Sequence, residues 1–415
     1  MEINDNQILE AIRGQYKLSF MQIELLFKIE HPFDNDEIDK YSDKDFGTFV
    51  HEYIHYLQNI STPWGLYNSM VKYERIAEQF KHLQQQKNIS SEPLSVQYTD
   101  KQNQRFYKQL ITLGRYWEKK FEVDENQPIT LSEETVVYER YSEQMKIFSF
   151  VDTNGTHRKG PLGAWMIIEA MSAIFQEFID PSSHDTHSDI PYNLIGKYVK
   201  QNYPEIFNDK AKLISLLYSS LFSMNPGLLF DERLKFANEH LEMTGPQLFD
   251  DLVNNLSIHI MGKKMDISSF FNDITYRFSI ILEKLIQTPL DYISEILKRI
   301  NINTGFVPIV TIISDGKFDR SRAKDLVSYL GVPYIYSKQG GFTCPSSIKN
   351  PNKSSKDIIA LIGIEALSKI LNNGKCELVY SCPQGDKTKP ECQTIPWEGK
   401  ECPITAAFLI WMGKK

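Results

Sequence analysis

No apolar run in this 415-residue chain reaches membrane-spanning length; the stretch around Ile280, Ile281 and Leu282 is soon interrupted by Glu283 and Lys284. No membrane partner is therefore expected. There is no dense Lys/Arg run, and the net charge is −7, so the electrostatic footprint of a nucleic-acid binder is missing. No phosphate-binding glycine pattern and no internal repeat stand out, which leaves nucleotide binding and repeat architectures without support. The first residues, Met1-Glu2-Ile3-Asn4-Asp5, are acidic and polar rather than a basic-then-apolar leader, so the expected location is cytoplasmic. Cysteine is scarce: there are five, and disulfides are not expected in a reducing compartment.

Four of those cysteines, Cys376, Cys382, Cys392 and Cys402, lie together near the end of the chain, among Pro383, Gly385, Pro390, Pro396 and Gly399. Thiolates clustered on loops suggest a structural zinc site. Their spacing is not the close C-x-x-C pairing of common zinc ribbons, and reduced, unligated thiols are the competing reading.

Against these absences stands His51-Glu52-Tyr53-Ile54-His55, an H-E-x-x-H pentamer. On a helix, residues four apart share a face, so both imidazoles can reach one metal ion, with Glu52 beside it to take a proton from water. The context predicts such a helix. Ser42 and Asp45 form an S-x-x-D start signal, Phe46, Val50, Tyr53, Ile54 and Leu57 recur at helical spacing, and Pro63 marks the end. The competing reading is a surface helix with two solvated histidines and a glutamate. Upstream, Met21, Ile23, Leu25, Phe27 and Ile29 alternate with polar residues, which predicts a strand.

A strand followed by a helix carrying H-E-x-x-H resembles the zincin metallopeptidases, in which a sheet edge holds the substrate extended above the metal. Catalytic zinc normally takes three protein ligands and one open position. No His-x-x-Gly-x-x-His continuation follows His55, so a downstream glutamate would make the chain gluzincin-like. Two candidates compete. Glu169 sits in an apolar segment running from Gly160 to Ser172, where a lone carboxylate is costly unless it is paired or metal-bound. That segment is similar to the E-x-x-A helices that supply the third ligand in many gluzincin-like proteins, with Ser172 where those have Ala. Glu74 is the alternative third ligand. A helical hairpin turning at Thr62-Pro63-Trp64-Gly65 would bring it level with the histidines, although its charged neighbours suit a surface position. The resemblance also implies a phenol or imidazole that stabilises the oxyanion. Tyr192 is the candidate, set against an ordinary packing role. His184 and His187, with Asp185 and Asp189, could bind metal but read as an exposed loop bounded by prolines.

The expected fold is α+β and helix-rich. It comprises a zincin-like catalytic region over residues 1–195, with a small sheet, the H-E-x-x-H helix and a helical and β-hairpin insertion. A helical lobe over residues 196–303 and a small C-terminal α/β module over residues 304–415 complete it. Residues 1–15 read as a short helix, and Asn154-Gly155 as a hairpin turn. Val307 to Ile313 reads as an apolar strand, followed by a turn, a helix from Arg322 to Leu330 and a strand from Val332 to Tyr336, a βαβ-like arrangement.

The resemblance implies a zinc-dependent peptidase acting on a protein or peptide substrate, with one catalytic zinc and, if the cysteines ligate, one structural zinc. A protease kept within its own cell needs restraint, so a regulatory protein partner is expected. Two other classes stay open: a non-catalytic binding or scaffold protein on a zincin-like fold, and a non-peptidase metal hydrolase.

Overall fold

Single residues set both ends of the helix that carries the two histidines. Helix α1, Asp43–Ser61, begins where the Ser42 hydroxyl accepts the Asp45 N–H at 3.1 Å. It ends at Thr62, and Pro63 opens α2, Pro63–Gln85, where a missing N–H costs nothing. Pro63 thus stops one helix and starts the next. The computed structural model describes residues 14–17, 22–30, 33, 38–85, 96–115, 121–260, 263–286, 291–300, 307–337, 339, 341–343 and 364. The five cysteines, and with them the proposed thiolate site, lie outside the described residues.

The architecture is helix-rich with small sheets. Among the described residues, no helix is long and apolar enough to cross a membrane. Four strands make the sheet beside α1: β1 (Gly14–Lys17), β2 (Gln22–Leu25), β8 (Tyr334–Ser337) and β9 (Phe342–Thr343), in the order β1-β2-β8-β9. Chain position 14 onward is therefore strand, and only the part of the expected 1–15 helix before it lies outside the described residues. The expected strand from Met21 to Ile29 is shorter than its alternation suggested, and it is not an edge. β2 is flanked by β1 and, in parallel, by β8. That inner position explains why Gln22 and Glu24, the polar members of the alternation, are buried. Glu24 accepts the Tyr336 hydroxyl at 2.5 Å, which provides the partner a buried carboxylate needs.

After α3 (Asp100–Leu113), strands β3 (Thr130–Tyr138), β4 (Tyr141–Val151) and β5 (His157–Leu162) form an antiparallel meander. The turn at Asn154-Gly155 is as the sequence suggests. Gly155 takes φ +77°, and the Asp152 carboxylate accepts the N–H groups of Asn154 and Thr156 at 3.0 and 2.9 Å. β5 runs into α4 (Ala164–Ile179), the Glu169 helix. The apolar segment beginning at Gly160 is thus strand as far as Leu162, and helix only from Ala164. The end of α3 meets the start of α4 through Gly114 and Gly163. Gly114 has φ +71°, and a Cβ on Gly163 would stand 2.4 Å from the Leu113 carbonyl oxygen, so only glycine lets these backbones touch.

Helices α5 (Leu194–Asn202), α6 (Pro204–Asn208), α7 (Lys210–Ser220), α8 (Pro226–Glu239), α9 (Gly245–Asn255), α10 (Ile267–Ile286) and α11 (Asp291–Arg299) follow, with Pro204 and Pro226 opening α6 and α8 and Thr244 capping α9. Thr244 and Gln247 form a full capping box. A small hairpin, β6 (Ser257–Ile260) and β7 (Lys263–Asp266), interrupts the helices and was not foreseen; four-residue strands are too short to show a period.

The texture change near residue 305 resolves differently from the expected βαβ arrangement. The run from Val307 contains a helix, α12 (Pro308–Ile312), rather than a strand. Pro308 occupies its start, and Ile309 and Val310 are buried, so packing overrides the β preference of branched residues. α13 (Arg320–Leu330) ends at Gly331, φ +73°, and β8 joins the sheet of β1 and β2. α13 is tied to α1 at both ends. Arg320 pairs with the Asp43 carboxylate at the start of α1 at 2.8 Å and donates to the Ile38 and Tyr41 carbonyls just before it at 3.0 and 2.8 Å, and the Tyr53 hydroxyl donates to the Gly331 carbonyl at 2.8 Å. This C-terminal segment buttresses the helix that carries the histidines.

Candidate metal centre

Every residue of α1 from Phe46 to Ser61 is buried. The polar edge of this helix is therefore not solvated, and the surface-helix reading falls. Each buried polar group there needs a partner, and α4 supplies partners to His51, His55 and Gln58.

The His51 and His55 rings stand nearly perpendicular, with centroids 4.8 Å apart, so their Nε2 atoms converge instead of stacking. Both meet the same carboxylate oxygen. Glu169 Oε2 lies 3.2 Å from His51 Nε2 and 3.3 Å from His55 Nε2. These three residues could hold a metal ion, with ligand atoms all within 4.8 Å of one another. The two nitrogen–oxygen distances suit one: zinc bonds of about 2.0–2.1 Å in a tetrahedron place ligand atoms about 3.3 Å apart.

The outer partners orient His55. Its Nδ1 lies 3.0 Å from Gln58 Oε1 and 3.0 Å from Ser172 Oγ. Gln58 Nε2 donates to the Ile168 carbonyl at 3.0 Å, which turns its oxygen toward the ring. The His55 Nδ1–H therefore donates to Gln58. A neutral ring would then aim the Nε2 lone pair at the carboxylate, and two lone pairs facing at 3.3 Å repel. Either a proton or a metal ion must stand between them. Fixing Nδ1 as the donor in this way is the usual support for a metal-binding imidazole.

Electrostatics say the same of the ion-free centre. Burial alone would lower the pKa of His55, but the Glu169 carboxylate outweighs it, aided by Glu52 and Gln58, and raises it to about 9. His51 moves the other way, lowered by burial and by the charge on His55. Burial works to raise the pKa of Glu169, but His55 and the hydrogen bonds from both rings hold it far below the usual carboxylate range. In the ion-free centre the proton thus sits on His55, and Glu169 is ionised.

Glu74, the alternative ligand, is elsewhere engaged. Both its oxygens accept from Arg105 Nη1, at 2.9 and 2.8 Å. Tyr192 does reach the site: its ring centroid is 5.8 Å from that of His51. Burial, then Glu169 and Glu52, push its pKa well up, so the phenol keeps its proton. His184 pairs with Glu177 on an exposed turn, as a loop residue would. His187 does not fit that reading. It stacks on Tyr192 at 4.6 Å, 6.1 Å from the His51 ring, and its Nδ1 is buried with no hydrogen-bond partner among the described residues. Burial, reinforced by His51, lowers its pKa to about 4, so it is neutral.

Sequence reasoning passed over Gln58 and Ser172 as ligand supports. Gln58 carried a signal, since it follows His55 by three residues on the same helix. Ser172 follows Glu169 by three in the same way. His187 was named with His184 as a possible metal ligand, but nothing local placed it beside His51. No protein-family model matches this chain, and no curated protein or solved structure matches it either.

Proposed function

We propose that the chain is a zinc-dependent, gluzincin-like metallopeptidase of zincin type, with His51, His55 and Glu169 holding the metal. One observation carries the reading: two imidazole Nε2 atoms converge on one carboxylate oxygen at 3.2 and 3.3 Å, on the helix that also carries Glu52. A bound zinc ion would supply Lewis acidity, lowering the pKa of water toward neutrality and polarising the scissile carbonyl. Glu52 accepts the proton of the attacking water and hands it to the leaving amine. Its charge acts on both His55 and Tyr192, which supports that role. Tyr192, protonated, donates to the oxyanion as the carbonyl carbon becomes tetrahedral. Gln58 and Ser172 hold His55 in the ligating tautomer.

The presence of Glu52 favours catalysis over a purely structural site, which needs ligands alone. The Glu52→Gln variant of the full chain tests this. It should retain zinc, read by elemental analysis, and lose at least about a hundredfold in peptide hydrolysis, the usual worth of a general base. Full activity in that variant would sink the mechanism. Retained zinc with no hydrolysis in the wild type would move the reading to a binding or scaffold protein.

A further inference from the structure

The first two turns of α4 bury every residue except two. From Ala164 to Met171, only Trp165 and Glu169 are partly exposed, and they lie four residues apart on one face. The indole therefore stands one turn from the carboxylate of the candidate metal centre, on its accessible side. Above that indole sits Arg115, its guanidinium 5.7 Å from the ring centroid. The glycine contact between Gly114 and Gly163 fixes this neighbourhood, because it brings the residue before Arg115 against the residue before α4. Arg115 is partly exposed and makes no hydrogen bond or ion pair with any described residue. Its positive charge nevertheless reaches Tyr192, which borders His51.

Arg115 pairs with no carboxylate among the described residues, although its charge and those of Glu52 and Glu169 all act on Tyr192. The guanidinium is a planar fork of donors that matches a carboxylate in two parallel bonds, and the indole lies within cation–π reach of it. We propose that Arg115 and Trp165 form a carboxylate-recognition subsite beside His51, His55 and Glu169, which selects peptides carrying a carboxylate next to the bond that is cut. The carboxylate is either a free C-terminus or an Asp or Glu side chain. This inference rests on the peptidase reading for its substrate class.

The test uses the zinc-loaded full chain and a random-sequence peptide library, prepared once as free acids and once as C-terminal amides. Cleavage products are read by mass spectrometry, and kcat/KM is then measured on the best peptide and on its uncharged counterpart. The wild type should favour the carboxylate form by about ten- to a hundredfold, the range expected for a charge-assisted bond. Arg115→Met should lose the preference between the charged and uncharged peptides, while Arg115→Lys keeps part of it. A preference confined to free acids identifies the C-terminus as the source; one that survives amidation identifies the side chain. No preference in the wild type, or an undiminished one in Arg115→Met, overturns the subsite. If nothing is cut, the peptidase reading fails by itself. Equilibrium binding of the same peptides, fluorescently labelled, to the zinc-loaded chain then decides the subsite: an Arg115-dependent gain for the carboxylate form keeps it, and equal binding removes it.

Discussion

Two of the helices packed on α1, α2 and α4, each bring a carboxylate downstream of the histidines, yet only one reaches them. On α2, Glu74 is already neutralised by Arg105, which donates to both of its oxygens. On α4, Glu169 has no Lys or Arg partner among the described residues, so it takes the two imidazoles instead. Distance along the chain misleads here. Glu74 follows His55 by 19 residues and Glu169 by 114, yet the nearer one is spent on a local ion pair. A carboxylate is available to a metal when no cation of the fold already holds it.

The sharpest way to break this comparison is to remove each carboxylate in turn. Glu169→Ala should lower zinc affinity by more than about a hundredfold, beyond what loss of an outer partner costs. His51→Ala should do the same, and Glu74→Ala should leave zinc unchanged. Elemental analysis of the three variants beside wild type decides it. Any metal held by the cysteines would persist in all of them, so the difference isolates this centre. Zinc lost with Glu74→Ala and kept with Glu169→Ala would reverse the assignment.

A second test uses pH. In the ion-free protein the His55 pKa is raised to about 9, above its ordinary value of about 6.5. The stability this contributes is fully present below about pH 6.5 and is lost as the pH rises through about 9. Zinc must displace that proton, so affinity should climb about tenfold per pH unit between 7 and 9 and then level off. Competition with a chelator of known pH dependence measures the slope. A flat profile over that range would mean that His55 carries no proton for the metal to replace.

Outer partners give a smaller effect. Gln58→Leu removes the acceptor that fixes His55 and should cost about tenfold in zinc affinity. Ser172→Ala should cost less, because Gln58 remains, turned by its bond to the Ile168 carbonyl. Equal losses from the two would show that Gln58 does not set the tautomer.

The parts of this arrangement that were legible in the sequence are those written in local chemistry. The Ser42 cap, the helical spacing from Phe46 to Leu57 and the Pro63 stop each act within a turn or two, so α1 could be read directly. Glu169 was legible for another reason: a carboxylate inside an apolar helix advertises its need for a partner. What stayed hidden depends on distant pairings. The parallel contact of β2 with β8 joins residues more than 300 apart, and it alone makes Glu24 a buried residue rather than an exposed one. The Arg105 that occupies Glu74 lies on another helix, and His187 reaches His51 only once the turn before α5 folds back over α4. Val307 to Ile313 shows the limit of local preference, since branched residues that favour strands form a helix where packing requires it.

The smallest expected effect completes the comparison from the side of α2. Glu74 and Arg105 are each about a quarter exposed, at 23% and 25%, so their ion pair is neither fully screened nor fully desolvated. Glu74→Ala leaves the guanidinium half-buried without its anion, and the loss should be about 1 kcal/mol of stability, seen as a lower denaturation midpoint with zinc content intact. Glu74→Gln, which keeps the shape and one acceptor oxygen, should recover part of it. If Glu74 were instead a ligand in waiting, its removal would lower the midpoint of the zinc-loaded protein and leave the ion-free protein unaffected. An ion-pair role predicts the same loss in both forms, because Arg105 is left unpaired whether or not the metal is bound.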